Sequence, residues 1–157
     1  MSNLYTEAPV VAALHLPTSR SQHATAIRGS KRFSMELDGV ASARKFVRDL
    51  VSQLDTSTAY RVELLTSELA TNALLHGRSA FDIVVLEAGG RLRVEVADDC
   101  PKNAVLVTAD QAAVHGRGIF IVNELADSWG STENGAGKTV WFELAITGCQ
   151  EPLPTPR

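Results

Sequence analysis

The sequence is poor in cysteine: Cys100 and Cys149 are the two it has in 157 residues. That is too few for a disulfide framework and suits a reducing compartment. Its four histidines, His15, His23, His76 and His115, lack the short paired spacings of a zinc site, which argues against a zinc-type metalloenzyme. No apolar run approaches the roughly 20 residues that cross a bilayer. The stretch from Ala8 to Leu16 is apolar, but Glu7 precedes it and no basic residue does. It therefore makes a poor signal peptide, and the expected location is cytoplasmic, with no membrane partner. Positive charge is not in excess either. The formal net charge of −3 gives no general attraction to nucleic acid or to anionic lipid.

What remains is an ordinary globular mix, 45 % hydrophobic and 21 % charged, of a length that suits one domain with its own core. Residues 1–31 hold Pro9, Pro17 and Gly29 without a sustained period and read as a disordered N-terminal tail. Within it and just beyond, Arg20, Arg28, Lys31 and Arg32 fall in a stretch without acids, a solvated basic segment that can also steer an acidic partner. The domain is expected over 32–147, and 148–157, with Pro152, Pro154 and Pro156, reads as a C-terminal tail.

Inside those bounds the periods alternate. Phe33, Met35 and Leu37 alternate with polar residues, which predicts a short strand. Val40, Ala43, Val47, Leu50, Val51 and Leu54 recur at helical spacing. A second helix is predicted from a cap at Thr56 or Ser57 to about His76, with Gly77 as its stop. Phe81 to Leu86 and Leu92 to Val96 predict two strands joined by a Gly89-Gly90 turn. Residues 99–115 read as a long loop, Gly118 to Asp127 as a helix, and Val140 to Ile146 as a last strand. The order predicts an α+β sandwich, helices on one face of a mostly antiparallel sheet.

The second helix carries the densest chemistry. Glu68, Asn72 and His76 are spaced i, i+4, i+8 and stack along one stripe, beside Leu65, Leu69 and Ala73. Near a phosphate-bound Mg²⁺ an amide oxygen from Asn72 makes a reasonable single protein ligand. A carboxylate one turn earlier can orient a water or take a proton from a hydroxyl. Alone, the stripe fits an exposed helix face equally well. Asp98 and Asp99 stand at a strand end, where an Asp can accept from the exocyclic amine of adenine and so separate it from guanine, though a turn before Pro101 explains the pair too. Gly116-Arg117-Gly118 leads into a helix, where backbone N–H groups and the dipole favour phosphate, and Arg117 adds charge. Gly135-Ala136-Gly137-Lys138-Thr139 invites a P-loop reading, but the first glycine of that motif falls on Thr132, and a strand pattern follows where a helix should.

The order of these features carries a resemblance. Glu68-Leu69-Ala70-Thr71-Asn72-Ala73-Leu74-Leu75-His76-Gly77 resembles the N box of the GHKL ATPase/kinase superfamily. Val94-Glu95-Val96-Ala97-Asp98-Asp99 is similar to its adenine box, Gly116-Arg117-Gly118 to its lid-end glycine box, and Gly137-Lys138-Thr139-Val140 to its last box. All four occur in the family's order over 33–146, and the compact build most resembles the anti-sigma-factor serine kinases.

The resemblance implies a Bergerat-type two-layer sandwich, its sheet mixed and mostly antiparallel, that binds ATP and Mg²⁺. Asn72 would hold Mg²⁺, with His76 beside it on the nucleotide side. Asp98 would read adenine, Gly116, Arg117 and Gly118 would approach the phosphates, Thr139 would contact the nucleotide, and Glu68 would serve as base toward a protein serine. The implied partners are an anti-sigma-factor antagonist, which is phosphorylated, and a sigma factor, for which the unmodified antagonist is exchanged; a homodimer is compatible with both. The chain departs from the family at Cys100, two residues after Asp98, where glycine is usual. A side chain there can narrow the pocket or shift the lid, so an ATP-binding partner-switching module without phosphotransfer stands beside the kinase.

Overall fold

The computed structural model describes residues 25–77, 79–100 and 117–146. In chain order these form β1 (Ala26–Phe33), α1 (Leu37–Leu50), α2 (Thr56–Asn72), a π-helical turn (Ala73–Gly77), β2 (Phe81–Ala88), β3 (Arg91–Asp98), α3 (Arg117–Leu125), β4 (Ser128–Glu133) and β5 (Lys138–Ala145). The five strands make one sheet in the order β1-β2-β3-β5-β4, and every neighbouring pair is antiparallel. The result is an α+β sandwich with one layer of sheet and one of helices.

Alternation decides which face of the sheet is covered. Ile83 and Val85 of β2 pair with Val96 and Val94 of β3, which in turn pair with Val140 and Phe142 of β5. All are buried and all lie on one face. Onto it pack Ala43 and Val47 of α1, Val62, Leu65 and Leu69 of α2, and Ile119 and Val122 of α3. Each helix thus contributes a stripe at 3.6-residue spacing, and α2 lies between the other two helices while touching β3 and β5. Burying a leucine of this kind contributes about 1.5–3 kcal/mol. The β2–β3 connection is the expected two-residue hairpin: Gly89 and Gly90 both take positive φ, 56° and 73°, as a turn matched to strand twist requires.

Three sequence expectations change. The first strand starts at Ala26 and ends at Phe33, so 26–31 belong to the sheet, and Met35 and Leu37 do not. A bulge between Ile27 and Gly29 breaks the alternation, and the basic residues are tied across the pair, Arg28 to Glu87 and Arg32 to Asp82. Charge and a bulge are common on an edge strand, where they block pairing with other chains, and both hide the period. The helix cap is Asp55, which accepts from the Thr58 amide at 2.9 Å, in place of Thr56 or Ser57. Lastly, β4 was not foreseen. Trp129 is its one large apolar residue, and Gly130 lies under Trp141, where a Cβ would come within 2.7 Å of the indole.

Arg61 ties α2 to the far end of α3. Its Nε donates to the Leu125 carbonyl at 3.1 Å, its Nη2 donates to the same oxygen, and Nη2 lies 3.4 Å from Asp127 Oδ1. A cation on the last carbonyls of a helix satisfies orphan acceptors and opposes the dipole. Arg61→Ala is therefore expected to cost about 1–2 kcal/mol of stability in urea denaturation. A loss below about 0.5 kcal/mol, the usual range for an uninvolved surface site, would show that water serves that carbonyl as well.

Candidate functional site

Two clusters form along the rod made by α2 and the π-helical turn. At the first, Glu68 and Asn72 lie one helical turn apart and half-buried, and the start of α3 packs against both. A Cβ on Gly118 would sit 2.9 Å from Glu68 Oε2 and 3.4 Å from both terminal atoms of the Asn72 amide. A side chain there would press on the Glu68 carboxylate and just touch the Asn72 amide, so glycine leaves both where they lie. Burial pushes the Glu68 carboxyl above its usual range, because desolvation disfavours the charged form. A carboxylate of raised basicity beside an amide oxygen and free helix N–H groups suits proton acceptance next to an anionic ligand.

The second cluster lies at the end of the π-helical turn. Asp98 follows Val96 on the covered face at the end of β3, directly opposite Lys138 in the β3–β5 register. Both are buried. Lys138 Nζ lies 3.0 Å from Asp98 Oδ1 and 2.9 Å from Oδ2, and the Cys100 amide donates to Oδ1 at 2.7 Å. Two glycines permit the approach of neighbouring chain. A Cβ on Gly77 would meet the Asp98 Cβ at 3.0 Å, and one on Gly137 would fall 1.9 Å from the Asp98 carbonyl oxygen. Gly135-Ala136-Gly137 is a hairpin turn, with Gly135 at φ 84° and the Gly137 amide donating to Asn134 Oδ1 at 2.9 Å. The strand β5 follows, in keeping with rejection of the P-loop.

The sequence-predicted residues divide accordingly. Glu68, Asn72 and Gly118 come together; Asp98 stands further along the same rod, against Gly77 at its C-terminal end. His76 sits in the π-helical turn at Ala73–Gly77, where the wider turn departs from α-helical spacing. It is exposed. Thr139 shares its face with Trp141 and Glu143, away from Asp98, and its hydroxyl accepts from Asn134 Nδ2 at 3.3 Å. Lys138, which the sequence reading did not single out, lies opposite Asp98. Period-2 counting back from Val140 would have put Lys138 on the covered face. Gly116 and the side chain of Arg117 lie outside the described residues, as does most of the 99–115 loop. No cluster of His, Cys, Asp and Glu that could hold a metal by itself occurs among the described residues. Nor is any described helix long and apolar enough to cross a membrane.

A two-layer sandwich with polar groups gathered along its central helix, a buried strand-end aspartate and a glycine-opened helix start matches an ATPase-type domain. The family model of the histidine kinase-like ATPase domain matches residues 33–144, and the chain belongs to that family, within the GHKL superfamily. No curated protein matches the sequence. Among solved structures, the fold is similar to that of the RsbU and RsbW domains of Rv1364c from Mycobacterium tuberculosis, with a TM-score of 0.58 and 16 % identity. The likeness covers 75 % of this chain and 32 % of that one, and at this identity it is a likeness of fold.

Proposed function

We propose that this chain binds ATP with Mg²⁺ and acts as an anti-sigma regulatory protein serine/threonine kinase that phosphorylates an anti-sigma-factor antagonist. The observation that carries the reading is Gly118, which sets the start of α3 against Glu68 and Asn72, where a Cβ would lie 2.9 Å from Glu68 Oε2. That cradle fits a phosphate group and its cation: helix N–H groups for the oxygens, the Asn72 amide oxygen for Mg²⁺, which takes most of its ligands from phosphate and water. Bound there, Mg²⁺–ATP supplies the phosphoryl group and neutralises its charge. Glu68 accepts the proton of the incoming serine hydroxyl, and its raised basicity serves that task. Asp98 holds the base further along the helical rod. The partners on this reading are the antagonist and a sigma factor, in the cytoplasm and without contact to nucleic acid or membrane, and the active unit is compatible with a homodimer.

A second reading keeps nucleotide binding and partner exchange without phosphotransfer. It is favoured by Cys100 beside Asp98 and by the ion pair that already engages that carboxylate. Incubation with ATP, Mg²⁺ and antagonist, read by intact mass, separates the two: phosphoryl addition is expected for the kinase and none for the module. The metal role is tested on nucleotide affinity. Asn72→Ala should weaken ATP binding strongly in Mg²⁺ and little in EDTA, because the lost group is a metal ligand. Equal losses in both would assign Asn72 to holding the helix instead.

A further inference from the structure

The carboxylate assigned to the base already has a partner. We propose that Lys138 is an internal competitor for Asp98, so that nucleotide enters the site by displacing the Lys138 ammonium, and the ion pair sets how tightly the site binds. The inference rests on Asp98 being the base-contacting group of the proposed nucleotide site.

The Asp98 and Lys138 side chains are 2 % and 5 % exposed. An amino nitrogen of a base is no smaller than a water molecule, so it reaches a carboxylate oxygen only where water can. That approach is closed in the nucleotide-free chain, and contact with the base requires a neighbour to move. The acceptor positions are taken as well. Lys138 Nζ lies 3.0 Å from Oδ1 and 2.9 Å from Oδ2, and the Cys100 amide donates to Oδ1 at 2.7 Å. A carboxylate has about four acceptor positions, and the ammonium and the amide leave it little to offer a base.

Which neighbour moves follows from how each is held. Among the described residues, three of the groups against Asp98 are main chain. A Cβ on Gly77 would come within 3.0 Å of the Asp98 Cβ, and one on Gly137 would overlap the Asp98 carbonyl oxygen. The third is the Cys100 amide. Gly137 is fixed further by its turn, its amide donating to Asn134 Oδ1 at 2.9 Å and its carbonyl accepting from the Asn134 amide at 3.0 Å. Lys138 differs from these in carrying its contact at the end of a flexible four-carbon stem. Rotation about that stem withdraws the ammonium without breaking the backbone ladder between β3 and β5. The exchange is close to balanced. A buried pair does little more than offset the hydration its charges give up, so the released ammonium regains water while the 6-amino group of the base takes the donor position it vacates. Nucleotide affinity is then what remains after the pair has opened, as in any site whose binding-competent form is the minor one.

Calorimetry with Mg²⁺–ATP on the full chain and on K138M, similar in length but without charge or donors, tests the proposal. K138M should bind ATP about 10-fold more tightly or better, because charge-assisted hydrogen bonds no longer compete for the carboxylate. K138R, whose guanidinium also pairs with a carboxylate, should show no such gain. In the parent, acetylation of Lys138 by acetic anhydride, read by peptide mass spectrometry, should rise when Mg²⁺–ATP is added, because the expelled amine becomes reachable. That measurement needs no variant and decides alone should K138M fail to melt cooperatively. A folded K138M that binds ATP no better than the parent, or a Lys138 as protected with ATP as without it, overturns the competition while nucleotide binding stands. If neither the parent nor the variants bind ATP, the nucleotide site is refuted, and this inference falls with it.

Discussion

Glu68→Gln should nearly abolish phosphorylation of the antagonist while leaving ATP affinity and partner binding close to those of the parent. On the proposed reading the carboxylate beside the Asn72 amide and the start of α3 takes the serine proton, and general-base help is typically worth ~10²–10⁴ in rate. Gln keeps the volume and cannot accept a proton at neutral pH. Burial also gives the position a pH signature. Because the folded-state carboxyl is raised, the folded chain holds a proton there that the unfolded chain has released. Stability is therefore lost as pH rises from the ordinary glutamate range, about 4.3, through the raised folded value. Glu68→Gln removes that loss, so the variant should gain stability relative to the parent across the same window. The phosphorylation rate of the parent should rise with pH through the raised value as the base deprotonates. Urea denaturation and intact-mass kinetics over a pH series report the two effects separately. A Gln variant that phosphorylates as fast as the parent would sink the kinase and leave the nucleotide-dependent binding module.

How much of this was legible in the chain depends on how each residue acts. The helices and the β2–β3 hairpin were readable because their apolar residues recur at the spacing of the element and their ends carry punctuation, as with Gly89 and Gly90. The edge strands were not. In β1 the basic residues meet acids on β2 and a bulge breaks the alternation, and in β4 only Trp129 offers a large apolar signal. Edge strands bury little, so little in their sequence has to be apolar. At the site, helical spacing placed Glu68 and Asn72 one turn apart, as they lie, but it did not foretell the π-helical turn that holds His76. A π-helical turn obeys backbone hydrogen bonding that side-chain periodicity does not display. Lys138 went unread for a different cause. A lysine at the start of a strand looks like surface charge until the pairing of β3 with β5 is known, and that pairing joins residues 40 apart in the sequence.

The same pair gives the largest stability effect expected of any single side chain in the site. Asp98→Ala should cost about 3–5 kcal/mol, because it leaves the Lys138 ammonium buried without a counter-charge and the Cys100 amide without its acceptor. The loss comes from the orphaned partner more than from the attraction given up. Two charges taken out of water lose much of their hydration, and their mutual attraction does little more than offset that. Removing both should therefore cost less than removing one. Asp98→Leu with Lys138→Met replaces the pair by apolar groups of similar length in a site flanked by Val96, Val140 and Gly77. It is expected to recover most of the stability lost in Asp98→Ala. Urea denaturation of the parent, each single variant and the double variant closes the cycle. On the proposed reading both Asp98 variants should lose nucleotide binding regardless of stability, since the acceptor it assigns to the base is gone in each. A double variant as unstable as Asp98→Ala would mean that the ion pair itself holds β3 to the start of β5, and the pair would then be a structural clasp before it is a barrier to the base.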